Sequence, residues 1–454
     1  MRRIARPGWW SWLVCTAFLS MLASACTVAP PTLPPAPPTR PISTVSAPST
    51  LAAGTNYYVD SIEGDDAHSG LSPAQAWQTL APLHRQHFLP GDTIHFRRGS
   101  HWAGGLIIDD SGVAGAPITF TTYGDGPRPI FVHSNVSDKL ANVITIYASW
   151  IVLEGVLVRD ANFCGVYLWN DADHNVIRDV EATAVGIGIM VYGRHNLITH
   201  NYIHDTLMVK NTPGGDDDFG ALGVTLNGSY NEIAHNRIVN CIAPSQDYGV
   251  DGGAIEIAAG EQTIEGIYIH HNWAENCEGF IEIGGPNGIA RNITLAYNVA
   301  VNCGRLLGAS VVGKWAVGLS NVRLEHNTSY QTGRRAGGGT ERVFSFNGPI
   351  SPAMLSAHNN IFYAVGAAWG MTTHAGFTHS HNLYRLDSGR PEYRLSSGDI
   401  VADPKFVGAG DLHLQADSPA IDAGVALGYV EDFDGRPTPA GKAPDLGAFE
   451  YQAQ

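Results

Sequence analysis

Short runs in which apolar and polar residues alternate recur along this chain, and many of them end on an asparagine. In the runs through Ile267 and Ile269 to Asn272, and through Ile293 and Leu295 to Asn298, every second residue is apolar, the period of a strand with one buried face. The dipeptides His200-Asn201, His235-Asn236, His271-Asn272, Tyr297-Asn298, His326-Asn327, Asn359-Asn360 and His381-Asn382 follow one another at steps of 35, 36, 26, 29, 33 and 22 residues. Self-similarity at this spacing marks a repeat protein. Units of such unequal length place their extra residues in loops, which a coil of strands tolerates and a helical solenoid does not. The pattern therefore predicts an all-β parallel β-helix with strands stacked about 4.8 Å apart. Asn201, Asn236, Asn272, Asn298 and Asn327 should form one inward ladder at a single corner, as stacked amides do in cross-β arrays. Cys241, Cys277 and Cys303 keep the same period, each five residues after its Asn. With Cys164 they are expected as buried thiols, because stacked parallel neighbours rarely present bridging geometry.

The start of the chain has a different character. Arg2, Arg3 and Arg6 precede an apolar run from Trp9 to Leu22, and Ala23-Ser24-Ala25 precede Cys26, which together predict a signal peptide over residues 1–25 and an extracytoplasmic protein. The segment also resembles a bacterial lipoprotein box, which implies lipidation of Cys26 and membrane attachment through that anchor alone. Pro, Thr, Ser and Ala dominate residues 26–53, a tether and not a domain. Residues 54–451 then form one solenoid, expected to be monomeric. The formal net charge of −15 excludes a nucleic-acid partner and disfavours polyanions, so an uncharged poly- or oligosaccharide suits the surface better.

Both ends of this segment carry a family resemblance. Tyr57-Tyr58-Val59-Asp60 through Ser72-Pro73 and Trp77, then Leu89-Pro90-Gly91-Asp92 to Gly99 and Ala114-Gly115-Ala116-Pro117 to Gly124, resemble the opening of secreted right-handed parallel β-helix proteins of the pectate-lyase-like superfamily. Asp403-Pro404-Lys405-Phe406, Asp417-Ser418-Pro419-Ala420 and Asp445-Leu446-Gly447-Ala448-Phe449-Glu450 resemble their last coil and terminal wrap. The resemblance implies a right-handed coil with an N-terminal cap and a C-terminal wrap. It does not select an activity, since that superfamily holds lyases, hydrolases, epimerases and adhesins.

Chemistry must come from side chains that point out of the coil. In the strand after each Asn corner, the middle residues Tyr167, Met190, Thr225, Glu256, Glu282 and Gly308 should form one outward column, because their neighbours are apolar. Two glutamates on adjacent rungs repel, which raises one pKa. A glycosidase requires such a pair, one carboxyl protonated and one ionised. Glu256 and Glu282 are thus the candidate pair, with Glu282 favoured as the acid and Asp251, five residues before Glu256, as a third carboxyl. Two longer units bring Asp216, Asp217, Asp218 and Asp247 to the same edge, where they are read as binding sugar hydroxyls or Ca²⁺, or as a solvated turn. No cofactor is required, and the metal question stays open. Trp77, Trp102, Trp169, Trp273, Trp315 and Trp369 could stack on sugars, Trp169 and Trp315 being nearest the column. Lys314 and Arg305 keep a lyase open, as the base of a β-elimination with Ca²⁺. Yet the Lys and Arg that chondroitinase B-type lyases carry after their acidic strand are missing from Ala258–Thr263 and from position 282. A non-catalytic glycan-binding β-helix is the remaining alternative. The histidines at 200, 235, 271 and 326 are read as corner stacking and not as a metal site.

Overall fold

The computed structural model describes residues 54–133, 140–333, 343–366, 376–387, 389–391 and 393–452. Residues 1–25, expected as a signal peptide, Cys26, the rest of the expected tether and Trp369 lie outside them. Three stacks of parallel strands wind as a right-handed coil. The first is a 13-stranded parallel sheet starting at Asn56–Val59 and Thr93–Arg97 and reaching Leu355–His358 and Thr378–Ser380. The second follows each Asn corner, as in Tyr202–His204, Arg237–Val239, Trp273–Glu275 and Val299–Val301. The third includes Leu222–Leu226, Gly253–Ala258, Ile281–Gly284 and Leu307–Ala309. Leu157–Leu168 and Glu181–Val191 run straight through a corner and pair in both. Among the described residues, no helix is long and apolar enough to cross a membrane.

The Asn ladder closes the corner between the first two stacks. Each Nδ2 donates to the Oδ1 of the Asn one coil on, from Asn201 through Asn236, Asn272, Asn298, Asn327 and Asn360 to Asn382, at 2.9–3.0 Å. The same Oδ1 accepts the backbone N–H of the preceding Asn. The residue before each Asn turns the chain in the left-handed conformation, with φ between 52° and 60° from His200 to Asn359. Side chains with a Cβ adopt it only where other interactions hold it. Here the amide ladder does so, and the rings stack in turn: His200 on His235 at 4.9 Å and Tyr297 on His326 at 4.6 Å. A second ladder, Asn175 to Asn196 to Asn231, stands at another corner beneath stacked His174, His195 and Tyr230. Cys164, Cys241, Cys277 and Cys303 are free and buried.

Removing one rung should be costly. In Asn272→Ala, the buried Asn236 N–H loses its acceptor and the Nδ2 keeps only the Ile198 carbonyl, at about 1–3 kcal/mol per lost bond. A fall of about 3 kcal/mol in the unfolding free energy, read from urea midpoints at constant slope, is expected. A change below about 1 kcal/mol would show that the corner is held by its backbone turns alone.

The ends are sealed by side chains. Trp77, Leu80, Leu83, Phe88 and Trp102 close the first rungs. The C-terminal wrap lies along the second stack, Leu412, Ala448 and Phe449 packing on Val299, Val301 and Tyr330. Trp77 and Trp102 are therefore core residues, and Trp273 packs edge-on to Phe433, so none of the three offers a sugar platform.

Candidate active site

Thr225 pairs with Glu256, Glu256 with Glu282 and Glu282 with Gly308 along the third stack. Ile255, Ile257, Ile281 and Ile283 face the coil interior, so the alternation turns the middle residues outward. The column does not lie on open surface, however. Two antiparallel hairpins, Met208–Lys210 with Phe219–Gly220 and Ala243–Ser245 with Gly249–Asp251, rise from the corner upstream of these strands and fold over it. Under the first, Val209 and Phe219 pack on Phe163, Tyr167, Ile187, Met190 and Leu222, a second apolar core outside the coil. Tyr167 and Met190 are buried packing residues there. Thr225 is 1% exposed and does not line the carboxylate pocket described next, a correction to its reading as a substrate ligand.

Where that apolar patch ends, a pocket opens. Phe219, Leu222, Tyr248 and Val250 form its apolar wall, and Asp251, Glu256, Glu278, Glu282 and Arg305 its polar one. Glu256 is 6% exposed and the Glu282 side chain 17%. Gly252, at φ 130°, lets the second hairpin drop into its strand: a Cβ there would meet the carbonyls of Ala221 and Cys241 at 2.6 and 2.7 Å.

Of the hairpin acids, Asp251 reaches the glutamates, whereas Asp216, Asp217, Asp218 and Asp247 do not converge on them. Asp218 is fully buried and accepts from the Ser245 hydroxyl and the N–H groups of Thr212, Gln246 and Asp247, which latches the hairpins together. Burial acts upward on its pKa, but these donors prevail and hold it below the usual carboxylate range. Asp217 pairs with Lys210, and its backbone N–H donates to Asp247. Asp216 sits at the turn with φ 58°. These four residues build the wall and do not line the pocket, which corrects their reading as substrate ligands. One oxygen from each of Asp217, Asp218 and Asp247 does lie within 4.8 Å of the others, although Lys210 already supplies Asp217 with a cation.

Four carboxyls and one guanidinium share the pocket. Arg305 reaches back across Gly279 and Gly308 to pair with Glu278 and with Glu282 at 2.8 Å. A Cβ on Gly308 would lie 2.8 Å from the Arg305 Cδ and Nε, so the empty place in the column is the space its side chain fills. Loss of water pushes Glu256 well above its ordinary pKa, and the charges of Glu282 and Asp251 push it further. Asp251 rises to about 8, through desolvation and then Glu278. Desolvation also raises Glu282, but Arg305 acts against it and it rises only to about 7. The site thus separates a neutral carboxyl, Glu256, from one that can ionise, Glu282.

The remaining candidates stand apart. Lys314 lies over the Trp315 ring at 4.5 Å, and neither residue lines the pocket. Trp169 is 42% exposed and leans on Tyr147 and Tyr167, several rungs away. Glu278, Phe219, Tyr248 and Val250 escaped the sequence reading. Counting from the cysteines would have found the charged contact, since Glu278 follows Cys277 directly and Arg305 comes two residues after Cys303, one coil on.

No protein-family model matches the chain. Pectate lyase Pel9A superposes with a TM-score of 0.58 at 17% identity, over 88% of this chain and 98% of that one. A rhamnogalacturonan lyase gives 0.56 at 16%, over 80% and 97%. The fold is that of the pectate-lyase-like β-helices. In sequence, a lacto-N-biosidase of Bifidobacterium longum subsp. longum is 32% identical over 130 residues, 26% of this chain. The matched region is 8% of that relative's length.

Proposed function

We propose that this β-helix is a glycoside hydrolase whose acid and base are Glu256 and Glu282. The observation that carries this reading is the pair of buried carboxyls on adjacent rungs, only one of which touches a cation. Glu256, kept protonated, gives its proton to the glycosidic oxygen as the bond breaks. Glu282, held ionised by Arg305, acts on the anomeric carbon directly or through water. This reverses the expectation of Glu282 as the acid, because Arg305 pairs with Glu282 and favours its charge, while the charges of Glu282 and Asp251 favour the protonated form of Glu256. A rung spacing of about 4.8 Å lies nearer the separation of roughly 5–5.5 Å in retaining enzymes than the wider gap of inverting ones. The surplus of carboxyls favours a neutral oligo- or polysaccharide, and the lacto-N-biosidase match supports a glycosidase. On this reading no cofactor is invoked.

The pectate and rhamnogalacturonan lyases are alike in fold alone. A β-elimination needs a free base, whereas Arg305 is committed to two carboxylates, which with Asp251 push its pKa up against desolvation. A panel of neutral and uronate glycans, read for new reducing ends and for absorbance of unsaturated products, decides the matter. Reducing ends without unsaturation are expected. Unsaturated products would establish a lyase, and tight binding without turnover a glycan-binding protein.

A further inference from the structure

Corner stacking accounts for His200 and His326, but not for the contact between His270 and His271. His270 ends the strand Tyr268–His270, and its Nδ1 lies 2.8 Å from the Nδ1 of His271. Each ring is held from its far side. His271 Nε2 is 2.9 Å from the carbonyl oxygen of Asp432 in the C-terminal wrap, and His270 Nε2 is 3.1 Å from a Glu232 carboxylate oxygen. A carbonyl and a carboxylate only accept, so the hydrogen of each neutral ring sits on Nε2. Both Nδ1 atoms then face each other with lone pairs, an arrangement relieved by a positive centre between them, either a metal ion or a shared proton. One ring nitrogen of His235, on the preceding coil, completes a set of three within 4.8 Å of one another. Glu431 and Glu232 add negative charge beside His235.

We propose that His235, His270 and His271 bind a late first-row divalent cation such as Zn²⁺ or Ni²⁺. The outer partners, a carboxylate on one imidazole and a backbone carbonyl on another, are those that orient metal-binding histidines. Three imidazole nitrogens select such ions over Ca²⁺ or Mg²⁺. Nitrogens about 2.0–2.1 Å from a zinc ion stand about 3.4 Å apart in a tetrahedral site, so the rings part by about 0.6 Å from 2.8 Å. His235 is exposed while His271 is buried, which leaves a face open to water. Because His271 also bonds to Asp432, the ion would tie two coils to the C-terminal wrap. The site is separate from the carboxylate pocket.

The test uses the full chain without a histidine tag, stripped with a chelator and titrated with Zn²⁺ and Ni²⁺ alone by calorimetry and metal analysis. One ion per chain and a raised thermal midpoint are expected. His270→Ala should abolish binding, and Glu232→Gln, at an exposed side chain, should weaken it about 10–100-fold. Absence of stoichiometric binding by the unmodified protein would overturn the proposal and leave a shared proton between the rings. Unchanged binding in both variants would overturn it equally, by placing the ion elsewhere. If His270→Ala fails to fold, Glu232→Gln decides alone.

Discussion

Replacing Glu256 with Gln should lower turnover about 10²–10⁴-fold, the contribution of a positioned general acid, while the fold keeps its stability. The amide is a close match for a carboxyl that is already neutral, and Glu256 touches no cation whose partner would be lost. The loss should depend on the leaving group: an aryl glycoside with an acidic phenol needs little protonation and should recover most of the rate. Glu282→Gln should be as inactive on either substrate, because its carboxylate acts on carbon or water and not on the leaving oxygen. The acidic limb of the rate profile should fall near 7, where Glu282 ionises, and the alkaline limb above it, as Glu256 loses its proton. Near-normal rates in both variants would refute the pair and move attention to Asp251. Equal losses on both leaving groups would keep the pair and refute the assignment of Glu256 as acid.

Arg305→Met should be the most destabilising change in the pocket, by about 3–5 kcal/mol at pH 8, the cost of leaving partners of a buried ion pair unmatched. Met preserves most of the stem that lies across Gly279 and Gly308, so the deficit is electrostatic. Its sign with pH follows from linkage. Asp251 and Glu282 hold protons more tightly folded than unfolded, with folded values of about 8 and about 7. Their contribution is therefore full below the ordinary carboxylate range and is lost as pH rises towards 8. Without the guanidinium, Glu282 should rise further, so the variant should lose stability more steeply over this window and approach the unmodified protein at pH 5. Thermal and urea unfolding at pH 5 and pH 8 check this. An equal deficit at both values would show that Arg305 acts through packing.

Much of the coil was legible because its determinants are local and periodic. Apolar alternation set the strands, and the step from Asn236 to Asn272 to Asn298 set the register that brings Glu256 beside Glu282. A residue that repeats at one corner must stack in any solenoid, whatever the loop lengths between. The ladder at Asn175, Asn196 and Asn231 carries the same aromatic-Asn signature, but its rungs are interleaved with the longer series, which hides its period. What lay beyond sequence was decided by the two hairpins and by one long side chain. Alternation shows that Thr225, Glu256 and Glu282 leave the coil, not what then covers them. Only the folded hairpins, latched by Asp218, bury Tyr167, Met190 and Thr225 and leave a pocket at Glu256. Nor does spacing show which carboxyl is neutral, since that depends on where Arg305 reaches across the gap left by Gly308. Repeat period and strand face are written in the order of residues, whereas desolvation and charge pairing arise between segments that meet only in space.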